Sequence, residues 1–158
     1  MKSTLLLIAL PCFCTFSPPQ SAFDHPPIYQ TQDAEQGVVE IQIQQVRNRE
    51  GMMRVAFYVE EEGFPYAPKH EFEFAKDATE DGVLTISMKL PLGAYAFTLL
   101  DDENNNGEMD NNWVGLPKEG FAFSNNAGRR KLTMPGFEAC QFRLEDPKTL
   151  QVVQMRYL

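Results

Sequence analysis

Apolar and polar residues alternate with a period of two along most of the chain from Val38 onward. In VVEIQIQQV (residues 38–46), Val and Ile alternate with Glu and Gln, which is typical of a β-strand with one buried face. The next run, MMRVAFYV (residues 52–59), places Met53, Val55 and Phe57 on one face. Because the short segment RNREG lies between the two runs, the pattern predicts that they pair as a β-hairpin.

Five further runs show the same strand pattern, so the sequence predicts seven strands and no helix. They are EFEFAK (71–76), VLTISMKL (83–90), AYAFTLL (94–100), FEACQFRL (137–144) and LQVVQMRYL (150–158). Short strands separated by turn residues predict an all-β fold, an antiparallel seven-stranded β-sandwich of immunoglobulin-like or prealbumin-like type. One long connection remains, from Asp101 to about Gly136, and long loops in compact domains are usually functional.

The first residues are typical of a secretory signal peptide. Lys2 precedes the apolar run LLLIAL, and small residues follow near Ala22. We therefore predict a signal peptide over residues 1–22, a flexible lead-in over 23–36 and a single β-sandwich domain over 37–158. The alternatives are an N-terminal anchor and a lipid-modified cysteine. Each predicts export to the periplasm or the extracellular space, and the apolar run is shorter than the about 20 residues that span a bilayer.

Composition excludes several classes of function. The formal net charge is −8, so we expect no nucleic-acid partner, because phosphate binding requires a basic surface. Two of the three cysteines lie in the predicted signal peptide, which leaves Cys140 as a buried apolar residue without a disulfide partner. The chain has only two histidines, so it offers few candidate bases for a nucleophilic triad and few candidate ligands for a zinc site. We expect a non-enzymatic protein.

The polar segment DDENNNGEMD (residues 101–110) has the spacing of a calcium-binding loop. Ca²⁺ prefers six to eight oxygen ligands, and alternate oxygen-bearing residues around a glycine supply them. The segment matches the first nine positions of the EF-hand ligand series, with Asp102, Asn104 and Asn106 at 1, 3 and 5, Gly107 at 6, the carbonyl of Glu108 at 7 and Asp110 at 9. The predicted cofactor is therefore Ca²⁺, and a solvated loop is the alternative.

The twelfth position departs from the EF-hand series, because Trp113 stands where a bidentate Glu is expected. The missing carboxylate must come from Asp101, Glu103 or Glu119, of which Glu119 is the candidate ligand. With few carboxylates, the loop predicts a weak site with a Kd of about 10⁻⁴ to 10⁻³ M, suited to extracytoplasmic calcium.

The segment that follows the acidic loop offers a second type of binding site. Trp113, Asn125 and Asn126 are candidate ligand contacts for a glycan, so a carbohydrate-binding or carbohydrate-active protein is the alternative function. The structural interpretation is that Phe121 and Phe123 anchor the loop, that the two asparagines cap turns, and that Trp113 packs against the domain. The expected partner is an unknown envelope protein or a glycan.

Three segments carry a resemblance to a known family. They are RNREGMMRVAFY (47–58), LPLGAYAFTLLDDENNNGEMD (90–110) and GLPKEGFAFSNNA (115–127). Through them, from about Val38 to Tyr157, the chain resembles a bacterial exported family catalogued as domain of unknown function 2141. The resemblance implies a small β-sandwich and an exported location, and it implies no reaction. A common form of the family has His at the position of Asp101.

Overall fold

The computed structural model describes residues 35–129, 133–145 and 147–158. The predicted signal peptide and residues 23–34 of the predicted lead-in lie outside the described residues. Within the described ranges, eight strands form two sheets. The strands are β1 (Gln36–Gln44), β2 (Met52–Tyr58), β3 (His70–Ala75), β4 (Val83–Pro91), β5 (Gly93–Asp102), β6 (Gly120–Phe123), β7 (Phe142–Leu144) and β8 (Lys148–Gln154).

The first sheet has three strands in the order β4-β1-β8. β1 runs antiparallel to β4, with Ile41 opposite Ile86, and parallel to β8, with Ile41 opposite Gln151. The expectation of a purely antiparallel fold is therefore wrong for this pair. Because the chain enters β8 from β7 of the other sheet, no hairpin fixes the direction of β8.

The second sheet has five strands, and its neighbouring strands are antiparallel. Its order is β3-β2-β5-β6, and β7 also pairs with β5. β7 lies beside the start of β5, at Gly93–Tyr95, whereas β6 lies beside its end, at Thr98–Asp101. The last residues of β5 therefore lie in the interior of the sheet, between β2 and β6.

One hydrophobic core lies between the two sheets. The inward residues of β1, among them Val39 and Ile41, share it with Met53, Val55 and Phe57 of β2. The ring of Phe57 contacts three other aromatic rings, at centroid distances of 5.7 to 6.0 Å, and these belong to Phe72, Tyr95 and Phe97. Such aromatic pairs contribute about 0.5–1.5 kcal/mol each beyond the burial of their area.

The predicted hairpin between the first two runs is wrong, because β1 and β2 belong to different sheets. Both strands direct their apolar faces into the same core, so they lie on opposite sides of it. β2 pairs with β3 and β5 instead. The connection ends at Gly51, whose φ is +69°, a conformation that glycine adopts at little cost.

Two segments differ locally from the predicted seven strands. β6 is an eighth strand inside the segment that the sequence predicts to be one long connection. The run FEACQFRL forms a one-turn helix α1 (Phe137–Cys140) followed by the three residues of β7. Phe137 and Cys140 are both buried, because residues three apart lie on one side of a helix. The expectation of an all-β fold is confirmed, and so is the burial of Cys140.

The helix α1 covers one end of the outer face of the five-stranded sheet. There α1 packs on Tyr58 and Ala96 and forms a second, smaller apolar cluster. The other end of the same face leads to the acidic loop after β5. Nowhere in the described ranges does a helix have the length and apolarity needed to cross a membrane.

Candidate functional site at the end of strand β5

Strand β5 ends in two carboxylates that lie on opposite faces of the sheet. Asp101 faces the core, where its carboxylate accepts hydrogen bonds from the ammonium group of Lys76 and, at 2.5 Å, from the hydroxyl of Tyr157. Asp102 faces outward and accepts a hydrogen bond of 2.6 Å from Nε of Arg54. Successive side chains of a strand alternate between faces, so only the second carboxylate can belong to the loop.

Asp102 anchors the start of the acidic loop. Its Oδ1 accepts a hydrogen bond of 3.0 Å from the backbone amide of Asn106, and its Oδ2 accepts one of 2.9 Å from Gly107. Burial alone would raise the pKa of Asp102, but the hydrogen bond from Arg54 and the two amides outweigh it and lower the pKa. Gly107 has a φ of +83°, so the predicted bend lies where the spacing places it.

The next side chains of the predicted series point toward one another. Asn104 accepts the amide of Asn106 through Oδ1 at 3.0 Å, and its Nδ2 donates to Oδ2 of Asp110 at 2.8 Å. One backbone amide therefore contacts oxygens of both Asp102 and Asn104. Oδ1 of Asn106 in turn accepts the amide of Glu108 at 2.8 Å. The structure thus brings the side chains of Asp102, Asn104 and Asp110 together.

Of the three carboxylates considered for closing the site, Glu119 lies beside the loop. Its side chain is buried and accepts the amide of Glu103 at 3.1 Å and the amide of Asp110 at 3.2 Å. The carboxylate of Glu103 instead receives two hydrogen bonds of 2.6 Å from Arg47, which lower its pKa. Asp101 faces the core. The geometry therefore favours Glu119, just before β6.

The fit of a cation to this loop depends on amide and backbone oxygens as well as carboxylates. Within the part of the chain that the structure describes, no three Asp, Glu, His or Cys side chains already form a metal-binding group. Nδ2 of Asn104 contacts Asp110, and Arg54 already donates to Asp102. A bound Ca²⁺ would share the Asp102 carboxylate with Arg54, and the amide of Asn104 would have to turn its oxygen inward. The donor set otherwise fits a hard cation.

Residues 111–117 form a tight turn that holds Trp113 in solvent. Oδ1 of Asn112 accepts the amides of both Val114 and Leu116 at 3.0 Å. The side chain of Trp113 is 96% exposed, so the expectation that it packs against the domain is wrong. The turn that Asn112 organises directs the indole away from both sheets.

The side chains of the two asparagines after β6 bond to the backbone of two other segments. Both have a positive φ, of 59° and 53°. Nδ2 of Asn125 donates to the carbonyl of Gln141, and Nδ2 of Asn126 donates to that of Val152, both at 2.8 Å. Oδ1 of Asn126 accepts the amide of Gln154 at 2.8 Å. These bonds give the pair a structural role, but they reach residues distant in the sequence and do not cap a turn, and a glycan contact by them stays a prediction.

Sequence reasoning missed Ser124, which is fully buried beside these asparagines. Its hydroxyl lies 3.0 Å from the amide of Phe97 and 2.5 Å from the carbonyl of Cys140. It joins α1 to the middle of β5. A serine that directly follows the apolar run GFAF carries no signal that distinguishes this role from an ordinary turn.

These features define a class of protein: an all-β protein of two sheets with a polar loop anchored at the end of an interior strand. The chain belongs to a bacterial family described as "Uncharacterized protein conserved in bacteria (DUF2141)", and the match covers residues 41–151. This confirms the resemblance given by the three sequence segments. No curated protein and no solved structure matches the chain.

Proposed function

We propose that the protein is an exported, non-enzymatic β-sandwich, immunoglobulin-like or prealbumin-like, whose 102–110 loop binds one Ca²⁺ and serves as a structural or interaction module of the cell envelope. The observation that carries the proposal is the convergence of Asp102, Asn104 and Asp110 around the bend at Gly107. The predicted signal peptide supports an extracytoplasmic location. The net charge of −8 argues against a nucleic-acid partner.

The proposed ligands are oxygens at alternate positions of the loop and one from outside it. Side chains of Asp102, Asn104, Asn106 and Asp110 contribute, with the carbonyl of Glu108, and the carboxylate of Glu119 takes the place of the missing Glu at position 113. Because Glu119 already holds the amides of Glu103 and Asp110, it lies where it can close the loop.

Arg54 is the residue that sets the affinity. Its guanidinium donates to Asp102 at 2.6 Å, so a divalent cation there meets a positive charge at close range. This repulsion, together with the small number of carboxylates, agrees with a weak site of about 10⁻⁴ to 10⁻³ M. We expect Arg54→Gln to bind calcium more tightly than the wild type.

Calorimetric titration with CaCl₂ tests the proposal. We expect one site in the wild type, a loss of affinity of tenfold or more in Asp110→Ala, and no change in Glu145→Gln, a matched control at a carboxylate that is 73% exposed. MgCl₂ should give little heat, because Mg²⁺ retains its waters. No heat with calcium, together with the same melting temperature in chelator and in about 5 mM calcium, well above the expected Kd, would overturn the proposal.

A second candidate function, carbohydrate binding, rests on Trp113. The 111–117 turn exposes Val114 and Leu116 as well as the indole of Trp113, and an exposed apolar patch can mark a binding site. Asn125 and Asn126 already donate within the protein, so sugar contacts by Trp113 would dominate. A glycan array with wild type and Trp113→Ala is the test, and array signals that the substitution leaves unchanged would overturn this candidate.

A further inference from the structure

The outer face of the five-stranded sheet holds a groove of about 580 Å³. Its floor consists of Thr98 and Leu100 of β5 and of Phe121 and Phe123 of β6. Leu116 borders it on the side of the 111–117 turn. The volume lies in the range of 300–1,000 Å³ that is usual for small-molecule sites.

The floor of this groove departs from the polar pattern of an exposed sheet face. Strands with one face in solvent normally place polar residues on that face. On the same face of this sheet, the edge strand β3 follows this rule with Glu71 and Glu73, both exposed. β5 and β6 instead place Leu100, Phe121 and Phe123 there, each only partly buried. The apolar outward residues of these two strands thus form the floor of the groove.

The charged side chains at the groove are of one sign, although the protein as a whole is acidic. Among the described residues that line it, the charged side chains are Arg129 and Arg156, and none is Asp or Glu. The guanidinium of Arg156 lies 5.9 Å from the ring centroid of Phe121, and its Nη1 lies 3.5 Å from the carbonyl of Gly128. Positive charge therefore lies beside the aromatic floor in a chain of net charge −8.

We propose that this groove binds an amphipathic carboxylate, a small molecule with an apolar chain or ring and one anionic head group. The apolar part lies on Leu100, Phe121 and Phe123, where burying its apolar surface favours binding. The head group lies at Arg129 and Arg156, because guanidinium groups form charge-assisted hydrogen bonds to carboxylates. The inference is separate from calcium binding, since none of the proposed ion ligands is used.

Fluorescence titration with 11-(dansylamino)undecanoic acid tests this inference on the full chain, in chelator and again in calcium. We expect saturable binding of one probe, with its methyl ester binding at least about tenfold more weakly, because the ester lacks the charge-assisted hydrogen bonds. Arg129→Glu should weaken binding by a similar factor. The matched control is Arg143→Glu, whose side chain is 75% exposed and does not line the groove.

The variant Leu100→Gln, checked for folding by circular dichroism, should also weaken binding, because it makes the floor polar. Equal binding of acid and ester, or binding that Leu100→Gln and Arg129→Glu both leave unchanged, would overturn the proposal. So would a homodimer in light scattering that Leu100→Gln dissociates, with no probe bound by the wild type, because a second copy of the chain would then occupy the groove.

Discussion

Lys76 and Asp101 form an ion pair in which neither side chain is exposed to solvent. Breaking a buried pair leaves one charge without a partner in the core, which typically costs about 3–5 kcal/mol. We therefore expect Lys76→Met to lower the free energy of unfolding by about this amount, measured by urea denaturation. The hydroxyl of Tyr157 also donates to Asp101, and burial raises the pKa of that hydroxyl, so it stays protonated and remains a donor.

A matched control for this prediction is the surface pair of Lys148 and Glu40, at 2.7 Å, in which the lysine side chain is 49% exposed. Lys148→Met should cost less than about 1 kcal/mol, as is usual for exposed pairs. The double variant Lys76→Met with Asp101→Leu should be more stable than Lys76→Met alone, since it removes both charges. If Lys76→Met and Lys148→Met lowered the free energy of unfolding equally, the prediction that the buried pair is the more stabilising one would be wrong.

Two glycines with a positive φ should respond differently to alanine. A Cβ at Gly51, where φ is +69°, would lie 1.9 Å from the carbonyl oxygen of Asp102, so Gly51→Ala must displace the strand end that anchors the acidic loop. At Gly115, where φ is +82°, a Cβ meets nothing within 4 Å. We expect Gly115→Ala to cost about 1–2 kcal/mol for the left-handed backbone alone.

Gly51→Ala should cost more than about 3 kcal/mol, because the clash adds to the backbone strain. Thermal unfolding of the two variants side by side measures the difference. Gly51→Ala should also weaken calcium binding if the loop binds the ion, whereas Gly115→Ala should leave it unchanged. Similar melting temperatures for the two variants would contradict the predicted clash between the Cβ of Gly51→Ala and the carbonyl oxygen of Asp102.

Stability in chelator should fall at acidic pH. The pKa of Asp102 is lowered by Arg54 and two backbone amides against the effect of burial, and that of Glu103 is lowered chiefly by Arg47. A carboxyl whose pKa is lower in the folded state contributes fully above its ordinary pKa, about 4. That contribution is lost as the pH falls through the folded-state value.

Urea midpoints should therefore change little between pH 7 and pH 5 and decline below about pH 4, the ordinary carboxyl pKa. Arg47→Met removes the main cause of the Glu103 shift, so its stability should be lower at pH 7 and should decline less steeply in acid. The prediction fails if the wild type and Arg47→Met lose stability in parallel as the pH falls.

Cys140 should resist thiol reagents until the protein unfolds. The residue is the last of α1 and is fully buried, and burial raises the pKa of its thiol to about 11. The thiolate is the reactive form, and it is scarce far below that pKa. We expect labelling by 5,5′-dithiobis(2-nitrobenzoic acid) at pH 8 to be slow in native buffer and complete in denaturant. Equal rates in the two conditions would contradict this burial.

The alternation of apolar and polar residues predicted most of the strands, because each of these strands has one face in the core. β1, β2, β3, β4 and β5 lie within two residues of the predicted runs. β6 was missed, because four residues, half of them aromatic and facing outward, give no alternation to recognise. Sheet membership was also missed, because period-two patterning does not show whether two inward faces meet across the core or lie side by side.

The sequence predicted the part of the candidate site whose residues lie close together along the chain. The spacing from Asp102 to Asp110 predicted which side chains approach one another. It could not predict Arg47 and Arg54, which lie on the connection after β1 and on β2, about fifty residues before the loop. Both cations reach the loop only through the pairing of β2 with β5. The exposure of Trp113 depends likewise on the turn made by Asn112.

Because Asp101 and Asp102 are neighbours that face opposite sides of the sheet, β5 does not tolerate a change of register. Deleting one residue between Gly93 and Asp101 would exchange the sides on which the two acids emerge, so that Lys76 and Arg54 would each face the wrong neighbour or none. The register of β5 thus places Asp101 beside Lys76 in the core and Asp102 beside Arg54 on the outer face. Natural insertions and engineered grafts should be accepted near Gly115, in the exposed 111–117 turn where an added Cβ meets nothing within 4 Å, and rejected before Asp102.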